Sequence, residues 1–154
     1  MVNVVKEQKG DVLVIKLNGS IEETVDFEKM IGPTSKEVHV STKAVPRINS
    51  VGVKGWIKYF QSLSAKGVKI VFIECSMAIV EQINLISNFT CGGTVASLYV
   101  PYLCQNCGVE SAAPYTVEQL KKLNFAVPDA KCPKCGGKAS FDDIADEYFY
   151  FLMG

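Results

Sequence analysis

Four of the six cysteines fall in two pairs, Cys104-Gln-Asn-Cys107 and Cys132-Pro-Lys-Cys135, spaced as C-x2-C-x24-C-x2-C with Gly108 and Gly136 directly after the second thiol of each. No other feature restricts the fold as much. Two turns that each aim two thiols inward can close a tetrahedral four-thiolate shell, and the following glycine supplies the backbone angles such a turn needs. A metal there would tie together a segment too small to build its own core. The expected ligands are Cys104, Cys107, Cys132 and Cys135, and the expected ion is zinc, although four thiolates suit iron as well. Its role reads as structural, because a catalytic zinc keeps an open position for water and four thiolates fill the shell. A thiol redox protein is the competing reading. It would place one C-x-x-C at a helix start inside a strand-helix-strand unit, whereas both pairs here lie in turns marked by glycine or proline.

The stretch between the pairs has room for a helix. Thr116 and Gln119 form a capping-box pattern ahead of Val117, Leu120 and Leu123. Beyond the second pair, Ser140 with Asp143 predicts a cap for a terminal helix through Ile144, Ala145, Tyr148, Phe149 and Leu152. Phe141, Tyr148, Phe149, Tyr150 and Phe151 exceed what one amphipathic stripe needs, so they are expected to dock on the rest of the chain, with a homodimer as the alternative.

Upstream of residue 101 the composition changes to long apolar runs. Val2 to Lys6 and Asp11 to Asn18 read as paired strands, and Lys36 to Thr42 alternates Val38 and Val40 with polar neighbours. Val25, Phe27, Met30 and Ile31 suit a short helix ended by Gly32-Pro33. Val53, Trp56, Ile57, Phe60 and Leu63 recur at helical spacing up to Gly67, and Val68 to Glu74 is apolar enough to be covered on both faces of a sheet. Ser76 can cap a further helix with Ile79, Val80, Ile83 and Ile86 on its buried stripe, and TVASLYV after Gly92-Gly93 reads as strand. This alternation predicts an α/β domain over residues 1–100 with a mixed sheet, followed by a small zinc-ribbon-like four-cysteine module with a C-terminal helix over 101–154. Cys75 and Cys91 read as ordinary buried thiols.

Charge and motif content narrow the function classes. Sixteen basic and sixteen acidic residues cancel, which removes the long-range attraction behind most nonspecific nucleic-acid binding. Residues 101–154 carry five lysines and no arginine against seven acids, so a nucleic-acid-binding ribbon is a secondary reading. Nothing approaches the roughly 18 apolar residues of a membrane span, and a cytoplasmic protein is expected. There is no phosphate-binding G-x-x-x-x-G-K-[ST] and no dinucleotide G-x-G-x-x-G. The one histidine, His39, reads as a sheet-face residue. A non-enzymatic protein is expected.

The succession VLVIKLNGSIEE, VHVSTKAVPRINSVGVKGWIKYFQSLSAKGVKIVFIECS and MAIVEQINLISNF resembles the STAS domain, named for sulfate transporters and anti-sigma factor antagonists. The resemblance covers about the first two thirds of the chain. It rests on the strand ending in Gly19 with Glu22 shortly after, on the turn Ile48-Asn49-Ser50-Val51-Gly52-Val53 before a helix, and on Gly67 before the central strand. It implies a small sheet with helices largely on one face and a protein partner, of the kind that anti-sigma or kinase-like regulators represent. In phospho-switched members of the family, the modified hydroxyl directly precedes the glycine of a D-S-S-G or D-S-T-G turn. Here that position is Val51 and the preceding acid is Asn49, so the usual switch is absent. Ser50, the first hydroxyl of the turn, is expected to cap the helix beginning near Val53, with phosphorylation of Ser50 as a minor reading. The resemblance places the partner surface at Glu22, Asn49, Ser50 and Val51, within a polar loop, Arg47 to Lys54, on a rigid scaffold.

Overall fold

The computed structural model describes residues 2–153. It has two sheets joined without a linker. The first begins with a hairpin of β1 (Asn3–Lys9) and β2 (Val12–Asn18), turned in two residues by Gly10 in the left-handed region. It continues through β3 (Glu37–Ala44), β4 (Lys69–Ile73) and β5 (Thr94–Val95), each parallel to its predecessor, so the spatial order is the chain order. Right-handed crossovers that always step the same way put their helices on one face. These crossovers hold α1 (Phe27–Ile31), α2 (Ser50–Ala65) and α3 (Met77–Leu85). The expected α/β fold with a mixed sheet is present, and the sheet has five strands.

Period-two alternation sorts the strand residues. Leu13, Ile15, Leu17, Val38, Val40, Ile70 and Phe72 face the helices and share one core with Phe27, Trp56, Phe60 and Ile79. Trp56 sits at the centre of this core, stacked on Phe89 and Phe72, with its indole N–H donating to the Phe89 carbonyl at 2.9 Å. That bond satisfies the one polar atom of a fully buried side chain. His39 lies on the opposite, open face and bonds Glu37 at 2.7 Å. The end of α2 follows its sequence signal: Gly67 adopts a φ of 80°, its N–H bonds the Ser64 carbonyl, and the Val68 N–H bonds the Leu63 carbonyl. This pair of bonds closes the helix and turns the chain directly into β4.

The second sheet was not expected from the sequence. It comprises β6 (Ser97–Cys104), β7 (Glu110–Thr116), β8 (Ala130–Lys131) and β9 (Lys138–Phe141) in the order β7-β6-β9-β8, all antiparallel. Only Ala96 separates β5 from β6, and Cys75 pairs with Leu98 across the junction. The compositional shift at residue 101 therefore falls in the middle of β6, and the second sheet begins at Ser97.

The capping box of Thr116 and Gln119 is formed, opening α4 (Val117–Lys122). The pattern at Ser140 and Asp143 does not cap a helix, because Ser140 is taken into β9 opposite Leu103. In place of one terminal helix there are two single turns, α5 (Ala145–Tyr148) and α6 (Tyr150–Met153). They dock within the chain, as the aromatic content implied. Phe149 is fully buried against Phe141 and Phe125, and the Tyr148 hydroxyl donates to the Tyr99 carbonyl.

Asn84 of α3 ties these turns to the first unit. Its amide donates to the Tyr148 carbonyl at 2.9 Å and its carbonyl accepts from the Phe151 N–H at 3.1 Å. Replacing Asn84 with alanine is expected to cost about 1–3 kcal/mol by leaving two half-buried backbone groups without partners. Urea denaturation would measure it, and an unchanged midpoint would show that water replaces both bonds.

Candidate metal centre

Each cysteine pair forms the turn of a β-hairpin. Strict alternation along β6 turns Leu98, Val100, Tyr102 and Cys104 to the buried side, so the strand itself delivers the first thiol. The chain then reverses through Cys107 and Gly108 into β7. Between β8 and β9 the same reversal passes through Cys132, Cys135 and Gly136. Gly108 and Gly136 have φ values of 74° and 76°, the left-handed geometry that the spacing called for. Their N–H groups bond the carbonyls of Cys104 and Cys132 at 3.1 and 3.0 Å, which closes both turns alike. Pairing of β6 with β9 brings the two hairpins together, with Cys104 directly opposite Ala139.

All four thiols lie within 4.8 Å of one another and can hold a metal ion. Cys104 and Cys135 are 3.5 Å apart and Cys107 and Cys132 are 3.7 Å apart. A tetrahedral ion with metal–sulfur bonds of about 2.3 Å has an edge near ~3.8 Å, so the spacing suits such an ion. Cys104 and Cys132 are buried, whereas Cys107 and Cys135 are exposed. The sulfurs are also supplied with donors. Cys104 Sγ accepts from the N–H groups of Asn106 and Cys107, Cys132 Sγ from those of Lys134 and Cys135, and Cys135 Sγ from that of Gly137. A side chain adds one more: the Asn106 amide reaches across to Cys135 Sγ at 3.5 Å.

These donors favour ionised sulfur. The Asn106 amide, then the Gly137 N–H, draw the Cys135 thiol down to about 6, and the Cys135 N–H lowers Cys132. Cys107 behaves oppositely: the Val109 N–H favours its thiolate, but desolvation and the neighbouring thiols Cys104, Cys135 and Cys132 hold it at about 11. Four sulfurs this close cannot all ionise alone, and a cation at their centre is what would permit it. Cys75 and Cys91 lie outside the cluster. Burial pushes Cys75 up to about 12 and raises Cys91, as inert thiols require.

No family model matches the chain, and no curated protein matches it. Among the described residues, no helix is long and apolar enough to cross a membrane.

The second set of candidate residues gathers at the start of α2. Asn49, not Ser50, is the helix cap. Its backbone is extended, its side-chain oxygen accepts from the Gly52 N–H at 3.0 Å, and its amide donates to the Glu22 carbonyl at 3.1 Å. The longer asparagine amide spans both partners, accepting with its oxygen and donating with its nitrogen, and the helix begins at Ser50 rather than near Val53. Ser50 is exposed in the first turn, and Val51 beside it is 44% exposed. Arg47 lies 3.6 Å from the Glu22 carboxylate on the same rim.

The reason for Gly52 is steric and was missed in the sequence. A Cβ there would meet the Ile21 carbonyl oxygen at 2.0 Å. Ile21 in turn pairs with Ile48 and accepts from the Asn49 N–H, so the strand end and the helix start are interlocked. From Val51 an open groove of about 440 Å³ runs between α1 and α2, bordered by Val25, Phe27, Lys54, Lys58 and Tyr59.

Proposed function

We propose that the chain is a non-catalytic regulatory module that binds a protein partner through the start of α2, and that a structural zinc ion in the four-thiolate centre holds its second sheet. The observation that carries the binding role is the gathering of Glu22, Asn49, Ser50 and Val51, all exposed, around the start of α2, with Val51 also lining the α1–α2 groove. An apolar side chain left 44% exposed on a tightly hydrogen-bonded helix start is the kind of feature a partner covers. The resemblance of residues 11–100 to STAS domains supports the same surface, and an anti-sigma or kinase-like regulator is the class of partner it suggests. Val51 has no hydroxyl, so recognition does not depend on a phosphate at that position. A structural role is favoured because four thiolates in closed knuckles leave no open position for chemistry.

Affinity capture from lysate with the full chain, compared with Val51→Asp, tests the binding role. A partner retained by the natural chain and lost by the variant, at equal melting temperature, is the expected result. Equal capture by both would move the interface elsewhere. Phosphopeptide mapping after incubation with the captured partner and ATP decides whether Ser50 is modified.

A further inference from the structure

The two knuckles are built alike but are not equally guarded. Superposing their sequences pairs Cys104 with Cys132, Asn106 with Lys134, Cys107 with Cys135, and Val109 with Gly137. Each buried thiol receives two backbone N–H groups from its own turn. The exposed thiols differ. Cys135 is met by the Gly137 N–H at 3.3 Å and by the Asn106 side-chain amide at 3.5 Å, whereas no side-chain amide among the described residues meets Cys107, whose Sγ lies 3.7 Å from Cys132 Sγ. Gly137 is what lets Asn106 approach. A Cβ at that position would stand 3.0 Å from Asn106 Cβ and 3.2 Å from Cys135 Sγ, and the matching place in the first knuckle is filled by the branched Val109. Lys134, the counterpart of Asn106, carries no amide to return the contact.

We propose that Cys107 is the reactive corner of the centre, the thiolate that soft electrophiles such as α,β-unsaturated carbonyl compounds modify first, and that Asn106 protects Cys135 from the same attack. The inference rests on the metal-bound reading of the four thiols. A thiolate bound to a metal keeps nucleophilic lone pairs, and each N–H donor directed at the sulfur withdraws some of that electron density. Exposure sets access, and only Cys107 and Cys135 have it. In the reaction the Cys107 sulfur adds to the β-carbon of the alkene. A C–S bond forms as the π bond breaks, the resulting enolate takes a proton from water, and no group leaves. The product thioether is a poorer ligand, so modification opens the metal shell from the Cys107 side.

The test uses the metal-loaded full chain and substoichiometric N-ethylmaleimide. Metal content is measured by native mass spectrometry before labelling, and adducts are mapped by peptide mass spectrometry. Cys107 is expected to label several-fold ahead of Cys135, with Cys104 and Cys132 last. Asn106→Ala and, independently, Asn106→Leu, which keeps the bulk and removes the donor, are expected to raise labelling of Cys135 to that of Cys107 while leaving the Cys107 rate unchanged. A chain that holds its metal but labels Cys107 and Cys135 equally overturns the asymmetry alone. Unchanged Cys135 labelling in both variants overturns the role of Asn106. A chain without bound metal overturns this inference together with the zinc reading.

Discussion

Substitution of Cys132 with serine is expected to abolish metal binding and to unfold the second sheet. This sheet has four strands, two of only two and four residues, and adds few large side chains, Tyr102, Leu120 and Phe149 among them, to the core it shares with the first sheet. Structural zinc supplies roughly 10–16 kcal/mol of apparent binding energy in small domains, comparable with the whole stability of a typical protein, about 5–15 kcal/mol. Losing one of four thiolates forfeits most of it. Hydrogen exchange should then show fast amides over residues 97–141 and slower ones retained in β2, β3 and β4. Chelation of the natural chain should reproduce the pattern, and readdition of zinc should reverse it. Cys91→Ala is the control, since Cys91 lies outside the cluster and its loss should leave metal content intact. If the metal-free Cys132→Ser protein kept full protection over residues 97–141, the ion would have no structural role.

The second large effect is expected at Gly52. An alanine methyl would lie 2.0 Å from a backbone oxygen, and a carbonyl of a paired strand end cannot rotate aside as a long side chain can. Accommodation requires α2 to separate from Ile21, which also breaks the Asn49 bonds to the Ile21 and Glu22 carbonyls and the Ile21–Ile48 pairing. A loss of about 3 kcal/mol or more follows, at the upper end for overpacking. Gly55, one turn later on the same helix, provides the comparison. A Cβ there makes ordinary contact with the Val25 carbonyl at 3.4 Å, and alanine gains up to about 1 kcal/mol of helix propensity over glycine. Thermal melts should therefore separate Gly52→Ala from Gly55→Ala in direction as well as size. Similar destabilisation by both would mean that helix flexibility, not the approach to Ile21, explains these glycines.

What could be read from the sequence divides along a physical line. Signals carried by several residues in register were legible. The stripe from Trp56 to Leu63, the closing Gly67, the capping box of Thr116 and Gln119, and the two knuckle glycines each combine a spacing with a residue type that few other structures satisfy. Strand β7 was not legible: ESAAPYT alternates only weakly in polarity, and its pairing is set by the hairpin turn that the knuckle makes. The same holds for Ser140, whose cap-like spacing lost to strand pairing with β6, a long-range contact that no local pattern encodes. At the start of α2 the residue types were correct and the roles were displaced by one position. Asparagine supplies both a donor and an acceptor, and both are used. The cross-knuckle contact of Asn106 leaves no local signature either, since its partner is 29 positions away.

The strand order of the first sheet has a consequence for how the protein is made. Because β1 to β5 lie side by side in the order of synthesis, each strand can join the edge left by the one before it as the chain emerges from the ribosome. No strand must be inserted between two already in place. N-terminal units generally fold first during translation, and here the growing sheet would present one parallel edge at every stage, the last of them covered in part by the two residues of β5. The second sheet cannot build this way, because β6 waits for β9 and the four-cysteine cluster waits for Cys135. Translation would thus deliver a nearly finished scaffold first and leave the four-cysteine cluster to close last.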